Sequence, residues 1–90
     1  MKNAIRAQVQ GRVQGVGFRY WTRAQAQQLE LSGWVRNESD GSVSAHFEGD
    51  DEALAEMTRS LWEGPRWSKV TNVTTSPASE QGYASFEITS

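Results

Sequence analysis

The sequence contains no cysteine, so disulfides, thiol nucleophiles and Cys-ligated metals are excluded at the outset. Nothing in it then requires an oxidising compartment. It holds one histidine, which alone cannot build a metal centre. No apolar run is long enough for a signal peptide or a membrane span, so a cytoplasmic location without membrane contact is expected. Charge of one sign is also missing. Nine basic and 11 acidic side chains leave a formal net charge of −2, which gives no general attraction to nucleic acid or to an anionic membrane. The nucleotide-binding patterns G-x-G-x-x-G and G-x-x-x-x-G-K-[ST] are both absent. Among acidic residues, Asp50, Asp51 and Glu52 lack the ligand spacing of a calcium loop, and no carboxylate pair suited to glycoside hydrolysis stands out.

What remains is a 90-residue chain, 37% hydrophobic and 22% charged, a balance that suits one globular domain over residues 1–90. A core this small needs help, and four tryptophans and three phenylalanines can supply it. Trp21, Trp34, Trp62 and Trp67 are expected in the core or at its rim.

Periodicity gives the order of elements. Ile5, Ala7, Val9, Gly11 and Val13 alternate with Arg6, Gln8, Gln10 and Arg12, a half-buried strand over 4–13. Residues 19–31 are rich in helix formers, with Thr22, Ala26 and Leu29 as an apolar stripe and Gly33 as the expected stop. Trp34 to Glu38 reads as a short strand, followed by an Asp40-Gly41 hairpin turn. On the return strand Val43, Ala45 and Phe47 alternate with Ser44, His46 and Glu48, which predicts that His46 and Glu48 face solvent. Asp50-Asp51-Glu52 suits a helix start, Leu54, Met57 and Leu61 follow at helical spacing, and Gly64-Pro65 ends that helix. Residues 68–75 and 83–89 read as strands, with Glu87 on the solvated side. The order strand, helix, strand, strand, helix, strand, strand predicts an α+β fold: a ferredoxin-like two-layer sandwich, an antiparallel sheet with two helices on one face and a wet opposite face.

The chemistry concentrates in the segment Gly11-Arg12-Val13-Gln14-Gly15-Val16-Gly17-Phe18-Arg19, between the first strand and the first helix. Glycines let successive N–H groups turn inward, the helix start adds unsatisfied donors, and Arg19 brings a planar fork of donors suited to phosphate oxygens. Taken alone, such a segment is more often an ordinary turn with a solvated arginine. Asn37 taken alone is likewise more often a polar strand residue. Arg6, Arg12, Arg19, Arg23 and Arg36 crowd the first 40 residues, and read equally as a basic surface around the loop or as scattered solubilising charge.

The two motifs together resemble the acylphosphatase family. Gly11-x-Val13-Gln14-Gly15-Val16-x-Phe18-Arg19 is similar to its first signature; Gly33-Trp34-Val35-x-Asn37, then Asp40-Gly41-Ser42-Val43 and Glu48-Gly49, are similar to its second. The resemblance covers the whole chain and implies the same ferredoxin-like fold. It implies an enzyme that hydrolyses the carboxyl–phosphate bond of acyl phosphates, releasing inorganic phosphate by direct attack of water. By the same resemblance Gln14, Gly15, Val16, Gly17, Phe18 and Arg19 form the phosphate site, and Arg19 and Asn37 are catalytic. No cofactor or metal is expected, no nucleic acid or membrane partner, and a monomer is the default. Two alternatives stay open: a non-catalytic anion-binding module on the same fold, and a single-strand RNA binder. Against the second, Ser42 to Glu48 reads SVSAHFE, without the aromatic motif of RNA-recognition strands.

Overall fold

A computed structural model describes residues 1–89. Its elements are β1 (Lys2–Arg12), α1 (Phe18–Gln28), β2 (Ser32–Asn37), β3 (Val43–Asp50), α2 (Asp51–Glu63), β4 (Lys69–Ala78) and β5 (Phe86–Ile88). The sheet order is β4-β1-β3-β2-β5. β1 pairs antiparallel with β3 and β4, and β2 pairs antiparallel with β3. The short β5 adds to the edge parallel to β2, so the sheet is mixed at that margin. Both helices pack on one face. The fold is the expected ferredoxin-like α+β sandwich.

The core follows the strand periodicity. Ala7 and Val9 of β1, Val35 of β2, and Val43, Ala45 and Phe47 of β3 are buried beneath the helices. α2 contributes Leu54, Met57 and Leu61; α1 contributes Phe18, Thr22 and Ala26. Phe47 and Phe86 stack 5.3 Å apart, which ties the short β5 into this core. Trp21 leans on Phe18 at 5.4 Å, partly buried at the rim of the core, whereas Trp62 and Trp67, expected in the core or at its rim, are exposed.

Gly33 does not stop α1. The helix ends at Gln28, where the N–H groups of Glu30 and Leu31 donate to Gln27 O (3.1 Å) and Ala26 O (2.8 Å). Glu30 takes the left-handed φ of 58° that this six-residue closure needs, a position glycine normally fills. Gly33 instead lies inside β2, where an added Cβ would sit 1.8 Å from His46 O. Its missing side chain allows β2 to approach β3.

The second departure is on the far face of the sheet. His46 and Glu48, expected in solvent, are 1% and 7% exposed. Residues 81–83, between β4 and β5, fold over them. Glu48 accepts from His46 Nε2 (2.7 Å), from the N–H of Gln81 and from the N–H of Gly82 (3.1 Å). Tyr83 meets the His46 ring edge-on at 5.6 Å, and Trp34 stacks on it at 6.1 Å. Burial by itself would push the Glu48 carboxyl up; the Gln81 N–H, the His46 ring and the Gly82 N–H together outweigh it and hold the group below the usual glutamate range. Glu87 is exposed, as expected.

Candidate active site

The segment singled out from sequence is a loop over residues 13–17 between β1 and α1. Val13, 1% exposed, anchors its start in the core, and Phe18, equally buried, anchors its end. Between these anchors Gly15 and Gly17 adopt φ of 74° and 78°. A Cβ at either would meet nothing within 4 Å, so backbone conformation and not crowding calls for glycine here. The left-handed residues turn the loop's amides. Among the described residues no N–H from Gly15 to Tyr20 has a protein acceptor, and the first helical bond runs from Trp21 N–H to Gly17 O at 3.0 Å. Six successive unpaired donors and the positive end of α1 thus belong to one short segment, a composition suited to an anion.

Arg19 is the second residue of α1 and half-buried. It has no carboxylate partner among the described residues. A guanidinium at the helix start, uncommitted to protein, is available to a phosphate oxygen pair.

Asn37 closes β2, paired with Val43 at the mouth of the β2–β3 hairpin. Its alternation with Val35 puts it on the helix side of the sheet. Its Oδ1 is buried with no hydrogen-bond partner among the described residues. Such an atom costs stability unless something donates to it, which a water molecule in the site would do.

Gln14 connects the two motifs. Its side-chain amide donates to Glu38 O at 2.8 Å and to Ser42 O at 2.9 Å, the two carbonyls that flank the hairpin turn. The hairpin is itself braced. Asp40 Oδ1 accepts from the Ser42 hydroxyl (2.6 Å) and N–H (3.0 Å), and these bonds hold the Asp40 carboxyl below its usual range. Gln8 Nε2 donates to Ser42 Oγ at 3.2 Å. One glutamine thus fixes the loop that carries Gly15 to Arg19 against the strand end that carries Asn37. The sequence signal for this was present, since Gln14 lies in the motif, but the pairing of its side chain with the hairpin was not readable from it.

The five arginines do not form one basic surface. Arg6 and Arg36 lie on the far face, over Trp34 at 4.8 and 4.6 Å, and Arg36 also donates to Glu38 at 2.7 Å. Arg23 lies over Tyr20 at 5.4 Å. Only Arg12 and Arg19 flank the loop directly. A concavity of about 820 Å³ at the start of α2, lined by Met1, Asp50, Asp51, Glu52, Glu56 and Arg59 among others, shares no residue with the loop, and its acidic wall suits no phosphate. Among the described residues no three or more His, Asp or Glu cluster as a metal site would need. None of the described helices is long and apolar enough to cross a membrane.

Comparison with known proteins identifies the family. The family model described as Acylphosphatase matches residues 5–88. An acylphosphatase from Nocardioides sp. is 46% identical over 88 residues, 98% of this chain and 89% of that protein. The crystal structure of acylphosphatase from Bacillus subtilis superposes with a TM-score of 0.95 at 38% identity, covering 100% of both chains. The structure of an acylphosphatase from Coxiella burnetii gives the same TM-score at 36% identity, over 98% of this chain and 93% of that one. The chain belongs to the acylphosphatase family.

Proposed function

We propose that this enzyme hydrolyses the carboxyl–phosphate bond of acyl phosphates by direct attack of water, with the loop 14–19 and Asn37 dividing the work. The observation that carries the reading is the run of unpaired N–H groups from Gly15 to Tyr20 beside an uncommitted Arg19. The backbone donors of Gly15, Val16, Gly17 and Phe18 hold the phosphoryl oxygens. Arg19 grips two of them with its planar fork. Asn37 Oδ1 accepts a hydrogen bond from the attacking water and fixes its approach. Gln14 acts through its side chain, by holding the loop and the hairpin at the correct separation.

The substrate is a small mixed anhydride, and its leaving group is a carboxylate that departs without a proton. General acid catalysis is therefore unnecessary. Phosphoryl transfer spreads charge over the equatorial oxygens, so positioned donors and a fixed positive charge supply most of the stabilisation. An amide such as Asn37 does not take the water's proton; it orients the nucleophile, and that proton ends on the phosphate product. One chain supplies every group this reaction uses, and the reaction needs no cofactor.

Steady-state hydrolysis of benzoyl phosphate in excess EDTA tests this. Activity is expected to persist in EDTA and to fall at least ~10²-fold in Arg19→Ala, by analogy with loss of one oxyanion-hole donor. Lysine at position 19 rescues only part, because a point charge cannot make the two-pronged contact. Activity lost to EDTA and restored by Mg²⁺ would overturn the metal-free reading, and wild-type turnover in Arg19→Ala would overturn the role of the arginine.

A further inference from the structure

The phosphate loop sits between two walls. β1, from which it springs, has β3 on one side and β4 on the other. The β3 side carries the β2–β3 hairpin with Asn37, bound to the loop by Gln14. The β4 side carries the turn over residues 64–68. That turn abuts both ends of the phosphate loop. Lys69 pairs with Arg12 and Val70 with Gly11, immediately before the loop. A Cβ on Gly64 would stand 3.2 Å from the ring of Phe18, immediately after it. Ser68 closes the turn, with its N–H (3.0 Å) and hydroxyl (2.7 Å) both donating to Pro65 O.

On this turn stands Trp67, 72% exposed. Its indole is not among the side chains packed on the core, and the Arg66 guanidinium lies over the ring at 5.3 Å. Arg66 has no carboxylate partner among the described residues. A large apolar ring, mostly open to solvent, is a stacking surface.

The chemistry says what would lie there. In phosphoryl transfer the attacking and leaving oxygens stand roughly in line through phosphorus. Water adds to phosphorus as the bond from phosphorus to the acyl oxygen breaks; the electron pair of that bond stays on the departing carboxylate, and both water protons remain with the phosphate as H₂PO₄⁻. A water held by Asn37 on the hairpin side directs the carboxylate to the opposite side, toward the 64–68 turn. We infer that the exposed ring of Trp67 receives the acyl group, so that this enzyme favours acyl phosphates with a planar, aromatic acyl body over short aliphatic ones. The inference rests on the assignment of Asn37 to the attacking water.

The test compares benzoyl phosphate with acetyl phosphate for wild type, Trp67→Ala and Trp67→Phe, with inhibition by inorganic phosphate measured beside them. In Trp67→Ala the KM for benzoyl phosphate is expected to rise about fivefold, the size of one aromatic–aromatic contact. Acetyl phosphate kcat/KM and phosphate inhibition stay within twofold of wild type, and Trp67→Phe keeps the benzoyl preference. Equal losses on both substrates, or no change on either, would overturn the proposal. The reading of Asn37 fails separately, if Asn37→Ala keeps wild-type turnover of acetyl phosphate. A wild type that hydrolyses neither compound would overturn both.

Discussion

Gln14 offers a perturbation whose consequences can be worked from geometry. Its amide makes two hydrogen bonds, 2.8 and 2.9 Å, to carbonyls that flank the hairpin turn. Neither carbonyl is orphaned when the amide is removed: Glu38 O still accepts from Gly41 N–H at 3.2 Å, and Ser42 O from Glu38 N–H at 2.8 Å. The loss in Gln14→Ala is therefore the net value of two bonds, about 0.5–1.5 kcal/mol each, without a further desolvation penalty. Stability should fall by roughly 1–3 kcal/mol, moving a urea midpoint down by about 1–2 M for a small domain. Activity should suffer more. Misplacing a catalytic group by about 1 Å can cost ~10²-fold, and the loop and Asn37 are held together through this side chain, so kcat/KM should drop by about 10–10². Gln14→Glu separates bonding from bulk. A carboxylate has the same shape but only acceptors, and it would face two carbonyl oxygens. It should be worse than alanine in both measurements. The reasoning fails if glutamate is tolerated better than alanine, or if Gln14→Ala keeps wild-type kcat/KM.

Two further outcomes follow from the scaffold. Glu48 is held below the ordinary glutamate range in the fold, so its contribution to stability is present above the unfolded value, about 4.3, and disappears as pH falls through the lower folded value. Urea midpoints measured from pH 7 down to 3 should fall more steeply for wild type than for Glu48→Gln, and parallel curves would remove Glu48 from the account. Glu30 carries a left-handed φ of 58° at the close of α1, so Glu30→Gly should stabilise the protein by roughly 0.5–1 kcal/mol, read by the same denaturation, whereas a loss would mean that the strain is absent.

These cases also mark what could be read from the chain. α2 was legible because Leu54, Met57 and Leu61 and the Gly64-Pro65 stop are local signals, and the structure buries those three side chains together. The hairpin at Asp40-Gly41 and the glycine loop before Phe18 were legible for the same reason. The end of α1 was not, because a six-residue closure can recruit a glutamate when Leu31 and Ala26 both reach the core. That left Gly33 free for a different duty, set by the distance between β2 and β3. The burial of His46 and Glu48 was equally hidden. Strand alternation assigns a face correctly but cannot say that residues 81–83, more than 30 positions later, fold over it. At the site, the motifs named the residues of the loop and Asn37. The side-chain link from Gln14 and the position of Trp67 depend on which strands lie next to β1, and no local pattern encodes that order.

The central claim is a division of labour, Arg19 on the phosphoryl group and Asn37 on the attacking water. Steady-state hydrolysis of benzoyl phosphate together with titration by inorganic phosphate, on wild type, Arg19→Ala and Asn37→Ala, measures it directly. An interaction made chiefly in the transition state shows in kcat, whereas one made also in the ground state shows in affinity. Arg19→Ala should lose both phosphate affinity and turnover. Asn37→Ala should lose turnover strongly and keep phosphate affinity near wild type. Wild-type kcat in Asn37→Ala, or a loss of phosphate affinity there as large as in Arg19→Ala, would contradict the account.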